Sequence, residues 1–266
     1  MSGRAAGEVP LTTIRIEETP HLVYLLRLAD SALVLSHRLS EWCGHAPMLE
    51  EDLALTNIAL DLLGQARLLY QYAATVEGKG RNEDDYAYLR DASQFRNLLI
   101  CELPRGDFAF TIVRQTLVSA FLHPYWQLAR SSTDRTLAVI AEKAEKEVAY
   151  HLRHAGAWLV RLGDGTEESR RRTLEALDTL WPYTGELFEV DEVGEAMIEA
   201  GIAPDPASVR PVFEDTLDRL LVEATLPRPA PTWMQTGGLR GVHTEHLGHM
   251  LAVMQHLPRA YPGARW

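Results

Sequence analysis

The sequence runs to 266 residues, 46% hydrophobic and 24% charged, with 37 acidic against 26 basic side chains and a formal net charge of −11. That length can bury a large core, and so acidic a balance opposes general binding to nucleic-acid phosphates. Two cysteines without paired-ligand spacing, Cys43 and Cys101, support neither a disulfide framework nor a zinc ribbon and are expected in or near the core.

Residues 1–18 show no periodicity and read as a flexible tail. Neither a signal-type apolar segment nor a run of about 18 uncharged apolar residues occurs, so the expectation is a cytoplasmic protein with no membrane association. Order starts at Thr19 and Pro20, a capping residue followed by a first-turn proline. They open a helix to about Cys43 with Leu22, Leu25, Leu26, Ala29, Leu33 and Leu39 as its apolar stripe. A second helix spans about 48–76 and is apolar almost all round, which places it at the centre.

A polar connection at 78–85 and two short helices, about 86–90 and 95–101, lead to a turn at Pro104–Gly106. The third long helix covers about 107–130, with Pro124 inside it. The fourth, about 133–163, is capped by Thr133 and Asp134 and closes at Gly163. Helices at about 166–181, 191–200 and 208–224, a Pro-rich strip LPRPAPTW, the turn TGGLRG and a helix over 244–257 complete the chain. No strand-like alternation recurs. The expected class is all-α: one domain over 19–266, a four-helix bundle core at about 20–163 decorated by a helical extension, 164–266.

A four-helix bundle of this kind suggests a dimetal site. Such a site takes one carboxylate from each of two helices and Glu-x-x-His from each of the other two, because two ferrous ions need about four carboxylates to balance their charge. Here the first helix offers Asp30. The second offers Asp61, but Gly64 stands where its imidazole belongs. The third has no acid at all and only Arg114, Gln115, Ser119 and His123 as inward polar candidates. The fourth offers Glu147, with Tyr150 three residues on and His151 one register late. The stronger reading is that Asp30, Asp61, Glu147 and His151 make buried polar contacts with one another or with Arg114 and Gln115, leaving no metal and no catalytic residue.

Elsewhere the signals are weaker. His243, Glu245, His246 and His249 could serve zinc but lack a distant further ligand. TGGLRG follows no buried strand and reads as a plain turn. Arg170–Arg172 belong to a solvated face, and Trp42, Trp126, Trp158, Trp181 and Trp233 are expected to pack.

Three strings, LRLADSALVLSHRLSEWCGHAPMLEEDLALTNIALDLLGQARLLYQYA, EVAYHLRHAGAWLVRLGDGTEES and TGGLRGVHTEHLGHMLAVMQ, closely resemble the C subunits of bacterial phenylacetyl-CoA epoxidases, multicomponent monooxygenases of phenylacetate degradation. The resemblance runs from about Tyr24 to Trp266. It implies a ferritin-like fold without functional iron ligands. It also implies partnership with a homologous A subunit that carries the di-iron centre and binds most of the phenylacetyl-CoA, a further small subunit, and a reductase using NADPH, flavin and an iron–sulfur cluster. Two other readings stay open: a self-sufficient di-iron oxygenase or iron-binding ferritin-like protein, and a homo-oligomeric module meeting CoA phosphates with Arg67, Arg153 and Arg240.

Overall fold

The computed structural model describes residues 13–264. Helix α1 (Pro20–Ser40) starts where the Thr19 hydroxyl accepts the Leu22 N–H at 3.3 Å. Helix α2 (Leu49–Glu77) gathers Glu50, Glu51 and Asp52 at its positive end and stops at Gly78, whose φ of 68° suits a residue without Cβ. Two short helices follow, α3 (Glu83–Tyr88), held by a capping box between Asn82 and Asp85, and α4 (Leu99–Glu102). Helix α5 (Phe108–Ala129) continues through Pro124, and α6 (Arg135–Gly163) is capped by the Asp134 carboxylate. The first pair, α1 with α2, and the second, α5 with α6, each pack intimately, while α2 meets α6 more sparingly. The architecture is the all-α four-helix bundle that the periodicity predicts.

The extension consists of α7 (Glu167–Leu180), α8 (Glu192–Glu199), α9 (Pro206–Glu223), α10 (Glu245–Met254) and α11 (His256–Ala260). It is less decorative than expected. Helices α7 and α9 cover α5, and α8 covers α1. The Arg27 guanidinium on α1 forms a two-point pair with Asp191 at 2.8 and 2.5 Å. At the other end, Gln255 and Arg259 donate to backbone carbonyls of Ala87, Tyr88 and Arg90.

Several expectations need correction. Of the proposed tail, residues 1–12 lie outside the described residues, but the stretch from Thr13 is anchored: Ile14 N–H donates to Leu89 O, and Gln94 donates back to Ile14 O. Helix α2 buries Leu55, Ile58, Leu62, Gln65, Leu69 and Ala73 with Glu51, Ala59, Ala66 and Tyr70 beside them, and not its whole circumference. Leu49, Leu53, Leu60 and Leu63 are exposed, because one helix face suffices to meet α1 and α6. Cys43 is exposed, in the turns after α1, and Trp233 is 74% exposed at the end of the Pro-rich strip, whereas Trp42, Trp126 and Trp181 are buried. The short helix expected at 95–101 is instead irregular over 95–98, after a 3₁₀ turn at Ala92–Gln94, and helical only from Leu99 as α4.

Candidate functional site

The candidate ligands do not form one set; they go to three places. Asp30 is fully buried but bound on all sides. Its carboxylate accepts from Tyr70 Oη at 2.5 Å, from the Arg96 backbone N–H at 2.7 Å, and from both terminal nitrogens of Arg90, itself fully buried. Burial alone would lower the Arg90 pKa, yet Asp30 beside it holds the guanidinium above its ordinary value. The Tyr70 hydroxyl is driven well up, first by burial and then by the Asp30 charge. Asp30 is thus the hub that ties α1 to α2 and to the loop after α3. Sequence reasoning singled out Asp30 but missed Arg90, which looks like a surface residue in YAYLRD.

The second place is the seam between α2 and α6. His151 Nε2 lies 3.0 Å from Asp61 Oδ2, and His154 Nε2 lies 2.8 Å from Glu51 Oε2. Gln65 donates from Nε2 to Glu147 Oε2 at 2.9 Å, and the Lys143 ammonium stands 3.3 Å from Glu147 Oε1. A Cβ at Gly64 would meet Lys143 Nζ at 3.7 Å, so a cation lies next to the glycine three residues after Asp61. Asp61 is not buried as expected: its side chain is 36% exposed. Tyr150 packs its ring beside His154 and faces solvent.

The inward residues of α5 form the third place, and they do not join the others as expected. Arg114 donates to the carbonyls of Leu103 and Pro104, and burial lowers its pKa to about 10. Gln115 donates to Ser119, and His123 faces Glu145 at 3.4 Å. Among the described residues no three His, Cys, Asp or Glu side chains come together as a metal ion would need. The arrangement provides cross-links between helices, with each carboxylate already matched to a cation, an amide or an imidazole.

The histidine cluster at the C-terminal end also separates. His243 turns inward, with Nδ1 2.7 Å from Glu102 Oε2 and Nε2 2.9 Å from Phe95 O, while Glu245 and His249 face solvent. Both partners are acceptors, so the ring must donate from both nitrogens. Burial opposes its charge, but Glu102 outweighs burial and raises its pKa. The turn TGGLRG holds an anion after all, one from its own chain. Glu186 accepts from the backbone N–H groups of Gly237, Gly238 and Leu99 at 3.0, 2.8 and 2.7 Å, although burial still raises its pKa. Of the basic residues considered for CoA phosphates, Arg67 pairs with Glu83 and Arg240 with Glu189. Arg170 donates to Gly163 O and Thr225 Oγ1, while Arg171 and Arg172 pair with Glu168 on an exposed face.

A protein-family model described as phenylacetic acid catabolic protein matches residues 8–266. Among curated proteins, the C subunit of the 1,2-phenylacetyl-CoA epoxidase from Escherichia coli (strain K12) is 51% identical over 243 residues, covering 91% of this chain and 98% of that protein.

Proposed function

Because the chain belongs to the phenylacetic acid catabolic protein family, we propose that it is the non-catalytic structural subunit of a multicomponent di-iron monooxygenase that epoxidises the ring of phenylacetyl-CoA. Its work is to hold and stabilise a homologous A subunit, which carries the iron and binds most of the CoA ester. A further small subunit and an NADPH-dependent flavin and iron–sulfur reductase complete the assembly, in the cytoplasm. No helix among the described residues is long and apolar enough to cross a membrane.

The observation that carries this reading is the clamp on Asp30. A bundle carboxylate that would face a metal is instead neutralised by the Arg90 guanidinium, and a second cation, Lys143, stands at Glu147 beside Gly64. These residues do not fit a pair of metal ions: two divalent cations would sit against two fixed positive charges with no acid on α5 to offset them. The competing reading, an oxygenase or iron-storage bundle in its own right, would require Asp30 to leave Arg90 unpaired in the core. The exposed leucines of α2 support the partner role. Leu49, Leu53, Leu60 and Leu63 recur at helical spacing on the side turned from the chain's own core, 42–72% exposed.

The test is iron content by elemental analysis after reconstitution of the purified chain with ferrous iron, together with co-purification with an A subunit. Trace metal and a stable heteromer are expected. About two irons per chain would overturn the reading.

A further inference from the structure

A cavity lies between α1 and α5 and reaches α2 at Leu62 and Gln65, the residue that donates to Glu147 across the α2–α6 seam, and the assembly role above does not use its interior. Its walls come from α1, α2 and α5, and α8 with its flanking segments closes over it. The space inside is about 110 Å³, close to the ~150 Å³ apolar cavity that is known to take up benzene. Four aromatic side chains line it, Tyr24, Phe121, Tyr125 and Trp126, among leucines such as Leu62 and Leu122. A ring-sized apolar body is the shape this wall accommodates.

Hydrogen-bonding capacity at the wall is unspent: Arg27 Nε, Trp126 Nε1 and Glu189 Oε2 are buried without a partner among the described residues, and two further groups can meet a ligand hydroxyl. Gln65 is 2% exposed and lines the cavity. Its Nε2 is committed to Glu147, which leaves Oε1 as an acceptor with no partner among the described residues. The hydroxyls of Tyr24 and Tyr125 lie 2.6 Å apart and share one hydrogen, so the second hydroxyl hydrogen has no acceptor there. An acceptor and a donor left without protein partners beside an apolar space are free to pair with a polar group of a ligand in that space. Charge narrows the choice. The carboxylates at the wall are Glu186, held by three backbone N–H groups, and Glu189, paired with Arg240, and the cation there, Arg27, is paired with Asp191, which leaves three acids against two arginines. An anionic ligand would meet net negative charge.

We propose that this cavity binds an uncharged monocyclic phenol, its ring among the four aromatic side chains, its O–H donating to Gln65 Oε1 and its oxygen open to the spare tyrosine hydroxyl. The site is independent of the assembly role and of any metal.

Isothermal titration of the full chain with p-cresol, toluene and benzoate tests it. Saturable p-cresol binding with a Kd on the order of 0.1 mM is expected, about fivefold tighter than toluene, which lacks the hydroxyl, and no saturable binding of benzoate. Gln65→Leu is expected to bring p-cresol down to the affinity of toluene while leaving toluene unchanged. Ala32→Leu, which fills the space from α1 with a good helix former, is expected to weaken both by tenfold or more. Absence of saturable p-cresol binding, equal affinity for p-cresol and toluene in the unsubstituted chain, benzoate binding as tight as p-cresol, or an Ala32→Leu chain that binds normally would each overturn the proposal. Should Gln65→Leu fail to fold, the p-cresol to toluene ratio in the unsubstituted chain decides the hydroxyl contact on its own.

Discussion

The pairing of Asp30 with Arg90 shows how one residue type can carry two opposite meanings. A carboxylate at 0% exposure inside a bundle is what a metal site needs, and it is also what a buried guanidinium needs. Which of the two applies is decided by a residue 60 positions away, and nothing local to Arg90 announces that it will be buried. The pair also sets a stability prediction. Arg90→Met leaves Asp30 charged and short of its main donor, and should cost about 3–5 kcal/mol by urea denaturation. Adding Asp30→Asn should recover part of that loss, since the orphaned charge goes while an amide oxygen can still accept from Arg96 N–H. His243 gives a pH prediction. Its folded-state pKa is raised above the ordinary 6.5, so the proton favours the folded chain. The stabilisation is complete below the unfolded value and is lost as pH rises through the raised folded one. The Tm advantage of the natural chain over His243→Gln should therefore be largest near pH ~5.5 and shrink toward pH ~8.5.

At the scale of elements, the long helices were legible because their signals are local: apolar residues at 3.6-residue spacing, capping side chains at Thr19 and Asp134, and glycine at the end of α2. The face each helix shows to its neighbours was not. Helix α2 carries leucines on two faces, and periodicity cannot say which of them the same chain covers; the structure leaves Leu53 and Leu60 more than half exposed. Leu53→Asp with Leu60→Asp should therefore leave the melting curve of the isolated chain within about 1 kcal/mol of the original while abolishing the heteromer, read by light scattering with the A subunit. The candidate site was legible as residues and not as contacts. Gly64, Tyr150 and the acid-free third helix stood in the sequence, but the cross-links between α2 and α6, Gln65 to Glu147 and His154 to Glu51, join residues 82 and 103 positions apart. TGGLRG was legible as a turn and not as a carboxylate cradle. Its second glycine has a cause: a Cβ at Gly238 would stand 2.2 Å from Asn97 O. Gly238→Ala should thus destabilise the chain by about 1–3 kcal/mol in urea, whereas alanine at Gly248, which meets nothing within 4 Å, should not.

For the whole molecule, the question is whether the four-helix core stands alone with the last hundred residues added to it. The connections argue against that. Helix α5 is covered by α7 and α9, Val209, Phe213 and Leu217 of α9 are buried, and Phe188 stacks edge-on between Phe121 of α5 and Phe213. Polar groups of the core depend on the extension as well. Glu102 in α4 receives Thr244 N–H and His243, and Leu99 N–H is satisfied by Glu186. Ending the chain after Gly163 would uncover the α5 face, whose residues are buried nearly all round, and leave the Glu102 carboxylate buried with Asn97 as its remaining side-chain partner. The prediction is that residues 13–163 alone keep helical circular dichroism but lose cooperative urea unfolding and bind hydrophobic dye, as a bundle without fixed packing does. The full chain should unfold in one transition, the same by fluorescence and by circular dichroism. A sharp, two-state transition in the shortened chain would mean that the core folds by itself and that the extension serves the partner surface and the cavity beneath α8 alone.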